Sequence, residues 1–189
     1  MGQYYHIAMK IDGKVIFNSR KYKGSDYVMA KLMEHSWWKN PLLCCVANEI
    51  LHAKTPVRLM WVGDYAEDDE IKNLTNGEVS YKDVWEDESN HQFEGSKVFG
   101  YDGKYFINHT KKVYFSFRKY LKNAKETHKN KDWVINPISL LTAVGNGRGG
   151  GDYFGKNEDM VGTWAWDEIS ISTNPPEGYT EIEVDFDEE

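Results

Sequence analysis

The chain has 189 residues, 40% hydrophobic and 14% aromatic, with a formal net charge of −7. That is enough apolar material to bury roughly two thirds of the unfolded surface around one core, which excludes a disordered chain. No apolar run approaches the roughly 18 residues of a membrane helix, and the opening MGQYYHIAMKIDGK lacks the charged start and apolar stretch of a signal peptide, so a cytoplasmic protein that touches no membrane is expected.

In chain order, YHIAMKIDGKVIFN reads as a hairpin, because Asp12-Gly13 supplies two positive-φ positions between alternating apolar runs. From Asp26 to Lys39, Met29, Leu32, Met33 and Trp37 recur at the helical spacing. Asn40-Pro41 is an N-cap followed by proline at the first helical position, opening a second helix that runs to about Leu51. Its apolar stretch carries the adjacent Cys44 and Cys45, whose direct disulfide would be strained; both are expected as buried thiols. VRLMWVG is a strand ending at Gly63-Asp64. From Glu67 to Gln92 apolar density collapses, which predicts an exposed acidic excursion with at most a short helix.

A second hairpin is predicted at KVFGYDGKYFIN, with Asp102-Gly103 at its turn, followed by a strand in KKVYFSF and a basic, partly helical RKYLKNAKETHKNKD. Asn136-Pro137 repeats the cap pattern for a short helix, PISLLTAV, stopped by Gly145. GTWAWDEISIS and YTEIEVDFD read as strands, the first with Trp164 and Trp166 on one face. Hairpins and separate helices together predict a single α+β domain over 1–189: a mixed, mainly antiparallel sheet with two to four helices. The acidic excursion spans 67–94 and an acidic C-terminal tail spans 177–189.

Charge is segregated along the chain. Asp64 to Glu94 holds eleven acids against Lys72 and Lys82, and 177–189 holds seven acids and no base, whereas 104–131 holds nine bases and one acid. Each segment reads either as a solvated face or as a surface that steers a charged partner. In the second reading, Glu67, Asp68, Asp69, Glu70, Glu86, Asp87 and Glu88 are the candidate partner-binding acids, and the basic segment 104–131 is a candidate nucleic-acid contact.

The stretch GNGRGGGDYFG contains the letters of a dinucleotide fingerprint, but it follows a predicted helix and precedes none, so the required strand–turn–helix setting is missing. Two readings remain. Consecutive glycines can aim backbone N–H groups at an anion, with Asn146, Arg148, Gly149, Gly150 and Asp152 as the binding set; alternatively the glycines serve a tight connection. His109, Lys111 and Lys112 in INHTKK place three potential cations on a turn, a candidate phosphate contact. Asp64, His109 and Glu34 are candidate acid/base groups if the loop belongs to an enzyme. Glu49-x-x-His52 has a metal-site spacing without the further ligands that chemistry needs, so no metal, cofactor or catalytic residue is assigned. MWVGDYAEDDEI and MVGTWAWDEISI share a composition that, as an internal repeat, would pair Asp64 with Asp167.

Together MGQYYHI, AKLMEHSWW, WVGDYAEDD, YFINHTKK, ISLLTAVGNGRGGGDYFG and VGTWAWDEISI resemble a family of small uncharacterised proteins of bacteria and their phages, over Met1 to about Ile171. The resemblance implies no catalytic residue. Through the phage association it implies a counter-defence role, acting in the host cytoplasm: a non-catalytic inhibitor of a host nucleic-acid-targeting complex, such as a Cas9-type CRISPR effector nuclease. The alternative is a small nucleotide- or phosphate-ester-binding enzyme that uses the 145–152 loop.

Overall fold

The computed structural model describes residues 2–17, 31–86, 100–127 and 134–186. Its elements in chain order are β1 (Tyr5–Ile11), β2 (Lys14–Phe17), α1 (Leu32–His35), α2 (Pro41–His52), β3 (Val57–Gly63), α3 (Asp68–Thr75), α4 (Tyr81–Trp85), β4 (Tyr105–Asn108), β5 (Val113–Ser116), α5 (Phe117–Thr127), α6 (Pro137–Leu141), β6 (Ala143–Val144), β7 (Glu168–Ser172) and β8 (Thr180–Glu181), with one 3-10 turn at Glu158–Met160. The first hairpin forms as expected: Asp12 and Gly13 have φ of 47° and 81°, and Ile11 faces Lys14 across the turn. At the second turn only Gly103 is left-handed, and Lys104 N–H donates to the Tyr101 carbonyl at 3.1 Å; the strand expected before it lies outside the described residues.

The strands form one sheet in the order β2-β1-β3-β7-β4-β5-β8, with β6 on β3, and all pairings but β3–β6 and β5–β8 are antiparallel. Period-two alternation divides β3 between two cores. Val57, Leu59 and Trp61 join Tyr5, Ile7 and Met9 beneath α2, α5 and α6; Met60 and Val62 join Ala8 beneath α3 and α4. The cap expectations hold. Asn40 Oδ1 accepts from the Leu42 and Leu43 amides at 2.9 and 3.3 Å, and Asn136 Oδ1 accepts from the Ile138 amide at 3.1 Å. Cys44 and Cys45 are buried, as expected, and Cys44 Sγ lies 4.0 Å from the Tyr101 hydroxyl.

Three segments and the number of helices depart from the sequence reading. Among the described residues there are six helices, of which α1, α4 and α6 run for five residues or fewer. Residues 68–85 are not an exposed excursion but the helix pair α3–α4, because Ile71, Val79, Val84 and Trp85 suffice to cover the second face of the sheet. The segment 161–166 is a series of turns rather than a strand. Trp164 therefore enters one core and Trp166, at φ 61°, the other, and the proposed repeat with β3 has no structural counterpart. The described part of the acidic C-terminal segment is docked: Val184 and Phe186 are buried, and Phe186 meets Tyr153 edge-on at 5.4 Å.

Candidate functional site

β3 is paired along one edge by β1, but its other edge is shared. Val57 and Arg58 pair with β7, whereas Trp61 and Val62 pair with β6. Where the partner changes, the Trp166 amide donates to the Leu59 carbonyl and the Trp61 amide to the Thr142 carbonyl, each at 2.8 Å. A polar cleft of about 390 Å³ lies beside this fork, bounded by Glu70, Leu74, Asn146, Arg148, Glu158 and Gly162. The glycine loop leaves β6 directly into it.

The loop is organised from within. Asp152 is fully buried; its Oδ2 accepts from the Arg148 and Gly149 amides at 2.7 and 2.8 Å, and its Oδ1 accepts from the Tyr5 hydroxyl at 2.5 Å. The nest predicted for a foreign anion thus encloses the loop's own carboxylate. Burial, and then the adjacent Asp152, push the Tyr5 hydroxyl far above its ordinary value, so it remains a proton donor. Asn146 brackets the loop by donating to the Tyr153 carbonyl and accepting from the Tyr153 amide, at 3.1 and 2.8 Å. The Gly150 carbonyl accepts from Gln3 N–H at 2.6 Å, which stitches the start of the described chain to the loop. A Cβ on Gly149 would stand 2.7 Å from that of Gln3, so glycine is required for this close approach. Of the predicted binding set only the Arg148 side chain is outward: it donates to the Tyr65 carbonyl at 3.1 Å and pairs with Glu70 at 2.9 Å.

His109, Lys111 and Lys112 lie elsewhere, in the β4–β5 turn. His109 places Nδ1 3.1 Å from the Tyr179 hydroxyl and Nε2 2.8 Å from Ser170 Oγ, and burial lowers its pKa below the ordinary value. Asn108 is buried, donates to Asp167 at 2.7 Å and accepts from the Lys111 amide at 2.9 Å. Lys111 is ion-paired to Asp167, while Lys112 is exposed with φ 55°. The turn is thereby locked to the start of β7. Among the described residues no hydrogen bond or ion pair joins this turn to the glycine loop, so the two predicted anion-contact groups form two places rather than one.

The acids divide by partner. Asp68 accepts from the Tyr81 amide at 2.8 Å and pairs with Lys72 at 2.5 Å, contacts that hold its carboxyl below the usual range, Lys72 first. Glu70 pairs with Arg148. Glu67, Asp69 and Glu86 are exposed and form no ion pair among the described residues, and Asp87 and Glu88 lie outside the described residues. Asp68, Asp69 and Glu70 also occupy the first turn of α3, where negative charge is stabilised by the helix dipole. Of the candidate acid/base groups, Asp64 accepts from the Tyr4 amide at 3.1 Å and Glu34 pairs with Lys31 at 2.8 Å. His52 turns back to the Asn48 carbonyl at 2.8 Å, and no group of three His, Cys, Asp or Glu that could hold a metal occurs among the described residues. Beside the acids, Tyr65 and Leu74 are large apolar side chains left 38% and 40% exposed, a feature the sequence alone did not single out.

Comparison with protein-family models, with curated proteins and with solved structures finds no match to this chain. The fold is α+β, and no helix among the described residues is long and apolar enough to cross a membrane.

Proposed function

We propose that the chain is a non-catalytic binding protein whose α3–α4 side docks on a basic protein surface of the kind that otherwise holds nucleic acid. The channel of a Cas9-type effector, implied by the sequence resemblance, is the instance to test first. The observation that carries the reading is that the segment 65–86 exposes Glu67, Asp69 and Glu86, which have no ion pair among the described residues, together with the large apolar Tyr65 and Leu74. Charge of this kind speeds encounter and selects basic partners, while a tyrosine and a leucine supply an apolar anchor that charge alone lacks. The nucleotide-enzyme alternative is weakened, since two of the loop amides it would use, those of Arg148 and Gly149, are already bonded to Asp152.

The test is a triple replacement, Glu67→Gln, Asp69→Asn and Glu86→Gln, and separately Tyr65→Ala, measured for binding and inhibition against a panel of Cas9-type effectors. The triple variant is expected to lose about tenfold or more in affinity, mainly through slower association that no longer depends on salt. Tyr65→Ala is expected to dissociate faster. Unchanged binding and inhibition for both variants would overturn the reading.

A further inference from the structure

On the opposite face of the sheet from α3 and α4, a second groove of about 440 Å³ runs between α5 and the segment that follows α1. Its floor is aromatic and aliphatic: the half-buried Leu121 beside the edges of the largely buried Trp38 and Tyr101, whose rings lie 4.4 Å apart, with the fully buried Phe117 beneath. Its rim is cationic. Arg118, Lys122 and Lys125 project from α5, and Lys39 closes the far side. Spacings of four and three put the three α5 cations on one helix face, where like charges repel one another. Lys39, Lys122 and Lys125 are exposed, and no ion pair neutralises them among the described residues. Asp102, the acid of the lining, is paired with Arg118 at 2.6 Å. A repulsive row of cations above an apolar floor is compensated by a ligand with an aromatic body and an anionic edge.

We infer that this groove binds a nucleobase together with its phosphate, the base on the Trp38–Tyr101–Leu121 floor and the phosphate against Lys39, Lys122 and Lys125. The inference is independent of the acidic face, since none of these residues belongs to α3 or α4. The same chemistry is offered by a free nucleotide and by a single strand, so thymidine 5′-monophosphate and hexathymidylate are titrated in parallel by calorimetry against the full chain. Binding of the monophosphate alone assigns the groove to free nucleotides; preferential binding of the hexamer assigns it to single strands, with a log–log salt slope of about −2 for three lysine contacts. In either case Lys122→Ala with Lys125→Ala is expected to weaken binding about tenfold or more. Leu121→Trp, which fills the groove without changing charge, is expected to weaken it comparably, with an unchanged melting temperature as the control for folding. The inference is overturned if neither probe binds, if the lysine replacements have no effect, if a hexaglutamate peptide binds as tightly as the hexamer, or if a folded Leu121→Trp variant binds normally.

Discussion

Replacing Asp152 by Ala would leave the buried Tyr5 hydroxyl and the partly buried Arg148 and Gly149 amides without their acceptor. Each orphaned buried donor costs about 1–3 kcal/mol, so a loss of about 3 kcal/mol or more is expected in urea unfolding. Tyr5→Phe removes one of the three donors and is expected to cost about 1 kcal/mol. Arg148→Ala, which deletes an exposed ion pair, should cost under about 1 kcal/mol. That order separates an internal anchor from an outward contact within a single loop. The sequence displayed the glycines and the aspartate, but not that the aspartate is the anion. Whether a nest faces inward or outward depends on Tyr5, which lies 147 positions away.

Among the elements, the β4–β5 turn acts as a clasp. It ties two strands to β7 through Asn108–Asp167, His109–Ser170 and the Glu168 amide on Thr110 at 2.9 Å. Burial keeps the His109 imidazole below its ordinary 6.5, and burial does the same for His35. A histidine that resists protonation when folded contributes stability that is complete above the unfolded value and is lost as pH falls from there toward the lowered folded one. The melting temperature is therefore expected to drop between about pH 7 and pH 5.5, and His109→Gln to reduce that drop. A flat profile in the wild-type chain would contradict this. Much at this scale was legible beforehand. Asp12-Gly13, Asn40-Pro41 and Asn136-Pro137 encode their turn and caps locally, and VRLMWVG matches β3. The few apolar residues of the α3–α4 pair predict an excursion, yet the segment carries two local helix signals: Asn76-Gly77, left-handed at φ 53° and 77°, ends α3, and Ser80 with Asp83 forms a capping box. Alternation in the short aromatic run at Trp164 and Trp166 looks the same for a strand and for tight turns; the left-handed φ of Gly162 and Trp166, at 78° and 61°, separates the two.

At the scale of the molecule, the sheet separates two chemically opposite sides, one carrying α3 and α4 with their acids and the other carrying α5 with its cations. The segregation of charge visible along the sequence thus becomes segregation in space, though which acids remain outward depended on ion pairs such as Glu70–Arg148 that link distant segments. Hydrogen exchange is expected to be slowest at β3, the strand bonded on both edges and buried on both faces, and faster at β2, which lies at the edge of the sheet. Equal protection of the two would argue against this topology.

The shared edge of β3 also orders events in time. Its pairing with β1 joins segments about fifty positions apart, whereas β6 and β7 reach the other edge only after some eighty to a hundred and ten further positions of chain have been gathered in. Closing such long loops before their contacts form slows folding. The fork beside which the cleft lies is therefore assembled late, and until then the second edge of the most apolar strand is open to intermolecular pairing, so recovery after unfolding becomes a competition between closure of that edge and aggregation.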